Sequence, residues 1–250
     1  MTLKTEAIVL KRMDFRETSR IVTFFTKDYG KLKGILKGIR KDHKKFGSSV
    51  DHFSLNDIIY YPSRQSDLHL VSHCDLRDGF LPIRGDIHKM LATEYVLELV
   101  DAMMPLEQGN RDIYQLMLDY LASVGTVRDF LKLICIFQIK VLLYSGFKPH
   151  LDSCLQCGGD ISGQARFSLK SGGLICLRCK SKDGEVTLVF PGTVASILYI
   201  ERNPWSRCLK LGLTERIKGQ LLFILNNFLV FHLDRELKAM KYLNGRMTLK

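Results

Sequence analysis

Arg20-Ile21-Val22-Thr23-Phe24-Phe25-Thr26-Lys27-Asp28-Tyr29-Gly30-Lys31-Leu32-Lys33-Gly34-Ile35-Leu36 is the stretch from which the fold of the N-terminal part is read. Its first seven residues are rich in β-branched and aromatic side chains, which suit a pleated, half-buried surface. Lys27-Asp28-Tyr29-Gly30 is a turn signal, and polar and apolar positions alternate after it, so the two runs form a hairpin. Working outward, Ala7-Ile8-Val9-Leu10 is a short strand ended by Lys11-Arg12. A fourth strand fits Leu55–Tyr61, stopped by Pro62. A fifth fits Leu68–His73. Five short strands in so little chain predict a small barrel, and the five-stranded OB-fold is the best match. The expected fold class is α+β. It comprises an OB-fold barrel over residues 1–80, the first part of a helical bundle over 81–149, an inserted four-cysteine zinc module over 150–185, and a basic helical continuation of the bundle over 186–250.

Between the third and fourth strands lies Lys37-Gly38-Ile39-Arg40-Lys41-Asp42-His43-Lys44-Lys45-Phe46-Gly47. It is too charged for a buried segment, and glycines flank it. Lys37, Arg40, Lys41, Lys44 and Lys45 can neutralise phosphates, giving salt-sensitive, sequence-independent affinity for a nucleic acid. Tyr29 and Phe46 are candidate base-stacking residues, with Phe25, Tyr60 and Tyr61 beside them. About half of such rings on alternating strands point into the core.

The formal charge of +11 is unevenly spread. Residues 1–50 carry 13 basic and 5 acidic groups, whereas residues 81–149 carry 7 and 8. Residues 186–250 are basic again, with 10 against 4. A block at each end points to a polyanion as partner rather than to lysine scattered for solubility. No apolar run reaches the length of a membrane span. No signal-peptide pattern opens the chain, so a cytoplasmic, nucleoid-associated protein is expected.

From Ile83 the period changes to that of helices. Leu91, Tyr95, Leu99 and Met103 mark a first helix, stopped by Pro105. Asn110 caps a second, and Thr126 a third that ends at Gly146. Glu94 and Glu98 read as a solvated face rather than a catalytic pair. Lys132 and Lys140 sit in the strongest apolar run. They read as snorkelling surface lysines, or as the basic rim of a groove for an acidic, apolar peptide. Further on, a short helix follows Pro191 and a longer one starts at Thr214. Arg207 and Lys210, with Arg202, Arg216 and Lys218, make a second basic cluster that is a further candidate for DNA contact. Trp205 within it stacks on a base or plugs the bundle.

Cys154-x₂-Cys157, eighteen residues of spacer, then Cys176-x₂-Cys179 has the spacing of a four-cysteine zinc site. Gly158-Gly159 and Gly172-Gly173 allow tight turns there. Four unligated cysteines or two disulfides are the alternatives, and a redox role would need one such pair rather than two. His150 is a stray candidate, but structural zinc is closed at four ligands. The module is nearly neutral and reads as a staple holding one zinc ion. Cys74, Cys135 and Cys208 stand alone, as in a reducing compartment.

In this order the parts resemble the bacterial recombination mediator RecO family along almost the whole chain. The carrying residues are Phe24–Lys31, then Lys37-Gly38-Ile39-Arg40-Lys41 with Lys45-Phe46-Gly47 and Phe53. Asp67-Leu68-His69-Leu70, Glu94–Leu99, Phe137–Leu142, Gly146-Phe147-Lys148-Pro149 and the cysteine pattern follow. Asp42-His43 departs from the proline or further basic residues expected in the loop. The resemblance implies binding of single- and double-stranded DNA and annealing of complementary strands. It also implies work with RecR and sometimes RecF, loading of RecA, and contact with the acidic tail of single-stranded-DNA-binding protein (SSB). Lys132 and Lys140 are then the candidates for that tail. No enzymatic turnover is implied. The rivals are a zinc-containing RNA-binding OB protein and a zinc enzyme acting on nucleic acid. Against the enzyme, the chain has no Gly-x-x-x-x-Gly-Lys-[Ser/Thr], His-Glu-x-x-His or deaminase-type His-x-Glu motif.

Overall fold

The computed structural model describes residues 1–42, 46, 50–161, 163–180 and 186–240. It divides into two compact units, residues 1–128 with 238–250, and residues 129–237. In the first unit, strands β1 (Leu3–Phe15), β2 (Ser19–Thr26), β3 (Gly30–Leu36), β4 (Leu55–Tyr61) and β5 (Leu68–Asp78) close a barrel in the order β1-β2-β3-β5-β4. All pairings are antiparallel except β3 with β5. This is the OB-fold expected from the hairpin.

β1 is longer than the sequence suggests. It runs through Lys11-Arg12 because the register shifts between Val9 and Lys11, a bulge that bends the strand around the barrel. Inside, Val9, Val22, Phe24, Leu32, Leu36, Ile58 and Val71 form the core, and Ile39, Phe46 and Val50 plug it from the β3–β4 connection.

Three helices follow: α1 (Leu81–Arg84), α2 (Ile87–Met103) and α3 (Arg111–Val124). Asp86 and Asn110 cap the last two by accepting backbone N–H groups. These helices cover one side of the barrel. Phe25 points outward by alternation yet is fully buried, with the Tyr114 ring 6.5 Å away. The β2–β3 turn is pinned to the α2–α3 loop. Glu107 N donates to Lys31 O at 2.8 Å, and Lys31 Nζ lies 3.2 Å from Asp101. At Gly30, with φ +68, any Cβ would collide with the Gln108 carbonyl, so only glycine fits. Glu98 is not a purely solvated residue: its carboxylate accepts the backbone N–H groups of Lys238 and Ala239, at 2.9 Å each.

The second unit holds α4 (Phe130–Tyr144), strands β6 (Ala165–Ser168), β7 (Gly173–Cys176) and β8 (Val186–Val189), then α5 (Pro191–Arg202), α6 (Trp205–Cys208) and α7 (Glu215–Leu233). α4 starts at Asp129, not Thr126, because the Asp129 carboxylate accepts Lys132 N at 3.0 Å. Thr214 caps α7 as expected. β6 lies between β7 and β8.

Candidate nucleic-acid interface and metal centre

The helices leave one side of the barrel bare. A groove of about 380 Å³ runs over β1, β2, β3 and the β4–β5 loop, lined among others by Lys11, Arg12, Met13, Thr23 and Lys33. This is the side on which OB-folds take oligonucleotides. Arg12 is held by Asp51 at 2.6 Å, while Lys11 and Lys33 project exposed from their strands. Reading the sequence for runs of charge missed both, because each is a single lysine within a strand. Only strand pairing brings them to one face.

In the adjoining connection, Lys37 and Lys41 are exposed and make no ion pair among the described residues. Arg40 is partly committed, 3.5 Å from Asp14 and donating to Arg16 O at 3.0 Å. Lys44 and Lys45 lie outside the described residues. Phe46 corrects an expectation. At 2 % exposure it closes the barrel core and offers no ring for stacking, because the neighbouring Ile39 and Val50 draw it inward. Tyr29 is half-buried, packed edge-on against Tyr60 with centroids 5.9 Å apart. Tyr60 is buried and its hydroxyl is pushed up to about 12 by desolvation, with Tyr29 and Glu107 adding to it. Tyr61 stays exposed.

In the second unit, four side chains converge. The Sγ atoms of Cys154, Cys157, Cys176 and Cys179 lie within 4.8 Å of one another, and all seven cysteines are free thiols. A tetrahedral ion with Zn–S bonds of about 2.3 Å needs sulfur separations of ~3.8 Å. Cys157 and Cys176 are 4.0 Å apart, close to that separation and well beyond a disulfide bond, so the set could hold a tetrahedral metal ion. Backbone N–H groups of Gln156 and Cys176 reach Cys154 Sγ at 3.4 and 3.3 Å. Burial resists ionisation of Cys154, but donors from Cys176, Cys157 and Gln156 outweigh it and bring the thiol down to about 6. Cys179 moves the other way, to about 12, chiefly through its hydrogen bond with Cys176. Four thiolates this close cannot all form without a cation between them. His150 turns away, its Nε2 2.8 Å from Ser153 Oγ.

Arg166 was not singled out from the sequence. Its Nη2 donates to the carbonyls of Leu177 at 2.7 Å, Cys179 at 3.1 Å and Cys176 at 3.4 Å, tying the second knuckle to β6.

Lys140 is not a snorkelling lysine. It is 3 % exposed, and its Nζ donates to Asn203 O at 2.6 Å and Glu201 O at 3.2 Å, at the end of α5. Lys132 donates to Leu209 O at 2.6 Å, just past α6. A cation at a helix C-terminus satisfies spare carbonyls and complements the dipole. Desolvation lowers the pKa of both. Of the second basic cluster, Lys218 is buried against Asp129 and Glu215, Arg202 lies 3.7 Å from Asp152, and Arg216 stacks on Phe190. Arg207 and Lys210 remain exposed, and Trp205 is half-buried.

A closed OB barrel with one bare, cationic side, followed by helices and a four-cysteine module, defines a barrel-and-knuckle protein. Models of the recombination protein O N-terminal and C-terminal regions match residues 1–80 and 84–241. The chain belongs to the RecO family. Among curated relatives, the DNA repair protein RecO of Alkaliphilus metalliredigens is 31% identical, covering 94% of this chain and 95% of its own length. Those of Syntrophus aciditrophicus and Moorella thermoacetica are 30% and 28% identical, over 97% and 96% of this chain and 95% and 90% of their own. Among the described residues no helix is long and apolar enough to cross a membrane.

Proposed function

We propose that this chain is a recombination mediator that grips single- and double-stranded DNA through the backbone and lets complementary strands anneal. The carrying observation is the bare barrel side lined by Lys11 and Lys33, together with Lys37 and Lys41, which are exposed in the connection after β3 and in no ion pair among the described residues. Annealing needs hold on phosphates without base readout, so that two strands can shift until they find register. Lys44 and Lys45 continue the basic run in the sequence, and Arg207 and Lys210 supply a second contact. Binding and annealing require no turnover. One zinc ion in the cysteine set has a structural task, since four sulfurs leave no open position.

Family membership extends the proposal to assembly with RecR, sometimes RecF, and to helping RecA onto DNA coated with SSB. For the acidic tail of SSB, Lys132 is the more accessible of the two lysines, and Arg207 and Lys210 flank the carbonyl it holds. Lys140 is enclosed.

The test is binding to single-stranded DNA across a salt series. Each phosphate contact contributes about −0.7 to the slope of log K against log salt. Changing Lys37, Arg40, Lys41, Lys44 and Lys45 together to alanine should weaken binding and flatten that slope. An unchanged affinity and slope would remove the loop from the interface.

A further inference from the structure

Helix α7 turns one face to its own unit and the other to water. Leu221, Leu225 and Phe228 are buried, and Asn226 accepts a hydrogen bond from Gln138 of α4 at 2.6 Å. On the opposite side Arg216, Gly219, Phe223, Asn227, Val230 and Asp234 recur at steps of three and four and so share one stripe. Phe223 is 56% exposed and Val230 37%, and Phe231 at the edge of the stripe is 51% exposed. Asn227 folds back onto its own helix, its Nδ2 donating to Phe223 O at 2.9 Å. The exposed Leu188 borders the stripe beside Gln220, whose Nε2 donates to the Leu188 carbonyl at 3.0 Å. Between Arg216 and Asp234 the stripe carries no charge. Large apolar side chains gathered on one exposed face mark an interaction site, whereas scattered ones do not.

Two features say what covers this face. One is Gly219. A glycine inside a helix costs about 1 kcal/mol relative to alanine, yet no neighbouring atom lies within 4 Å of a Cβ built there. Packing within the chain does not call for glycine, and the space above it is open. The other feature is order. From its N-terminal end the stripe reads cation, smallest residue, phenylalanine, asparagine, bulky apolar residues, anion. Turned end over end about an axis between Phe223 and Asn227, it complements itself. Val230 and Phe231 of one copy then lie over Gly219 of the other, and Asp234 lies beside Arg216. We infer that α7 is a self-association surface on which two copies of this chain pair antiparallel, in the isologous manner of a two-fold dimer.

Charge and shape select a second copy over other occupants. A nucleic acid or an acidic peptide needs cations along the contact, and the stripe has one, at its end. A membrane surface calls for a helix rich in lysine and arginine on its polar face. A second copy supplies what each part lacks: a bulky side chain for the space over Gly219, and an anion for Arg216, whose guanidinium is held over the Phe190 ring at 3.9 Å. Antiparallel pairing also sets the two helix dipoles against each other. The stripe is about 27 Å long and one helix wide. A pair of such stripes lies at the lower end of specific interfaces, so the association is reversible and concentration-dependent. A pair carries two DNA-binding barrels, one for each strand to be annealed. That consequence rests on the nucleic-acid reading above; the pairing does not, and it is measured without DNA.

The experiment is sedimentation velocity on the full chain, from about 1 to about 100 µM, which brackets weak specific complexes. The unmodified protein should pass from monomer to dimer within that range. G219L fills the space that the partner needs, but meets nothing in its own chain. It should melt no lower than the parent, since leucine is the better helix former, and should stay monomeric throughout. R216D and D234R each set like charges against each other at both ends of the pair, and should weaken association about tenfold. Mixed in equal amounts, these two variants should associate as well as the parent, because only an antiparallel heterodimer joins the exchanged charges. Both reversals suit the helix dipole; Asp234 sits at φ 50, so the melting temperature of D234R is followed alongside. A parent that is monomeric across the series would overturn the inference, as would a G219L protein that dimerises normally. Failure of a folded mixture to recover association would also overturn it, leaving the stripe to a different occupant.

Discussion

What a charged side chain does in this protein depends on whether water or carbonyl groups surround it. Lys37 and Lys41 sit in water and remain available to an anion; Lys140, the same residue type, is spent on two carbonyls. Glu201 illustrates the cost of enclosing a charge. Its side chain is 8% exposed, and burial raises its pKa, partly countered by Lys148 at 3.6 Å. A carboxyl with a raised folded-state pKa is comfortable when protonated. Stability therefore falls as pH rises from the unfolded value of 4.5 through the folded one. Glu201→Gln should abolish that loss, so its thermal transition should lie above that of the unmodified protein at pH 8 and converge with it towards pH 4. Thermal unfolding at a series of pH values checks this; a constant gap across the series would mean that ionisation plays no part. At this scale the sequence was only partly legible. Cys154, Cys157, Cys176 and Cys179 were readable because metal chemistry constrains their spacing. Phe46 was misread because a hydrophobic ring in a charged loop looks alike whether it points out or in.

At the scale of elements, helices and strands followed local signals closely. Asn110 and Thr214 cap where expected, and β4 has the expected bounds. Thr126 failed as a cap because Asp129, three residues on, serves two elements at once. One carboxylate oxygen accepts Lys132 N in α4 and the other accepts Lys218 Nζ from α7 at 2.7 Å. Long-range pairing thus chose between two adequate local caps. The second zinc knuckle shows the same dependence. It is held to β6 by the Arg166 guanidinium, and Arg166→Met would strand three carbonyls. We expect that change to cost about 1–3 kcal/mol of the module's stability. Metal release to a chelator should quicken, and Arg166→Lys should restore only part of the loss, since an ammonium on a flexible stem lacks the planar group that aims Nη2 at the three carbonyls. If release to the chelator is as slow in Arg166→Met as in the parent, the arginine does not hold the knuckle.

At the scale of the molecule, the chain passes from one compact unit into the other and returns at Lys238, where Glu98 receives it. Residues 129–237 contain α4 to α7 and the whole cysteine set. A fragment of those residues should fold alone, hold one zinc ion per chain and melt cooperatively. Its Cys154→Ser form should lose the ion and most of its module structure, because metal affinity and folding are one free energy in such small segments. Metal analysis and circular dichroism decide it; a fragment that folds without metal, or a serine form that keeps the ion, would contradict the staple. Composition and spacing alone determined that the chain has a strand-rich, basic beginning, a helical middle and a four-thiol site, since period, caps and ligand spacing are local properties. Tertiary structure decided the rest. It covered Phe25 with Tyr114, buried Lys140, and left Phe223 and Val230 of α7 exposed. Periodicity states that a residue faces outward from its own strand. Whether that outward face meets a helix, water or a neighbouring row depends on register with segments distant in the chain.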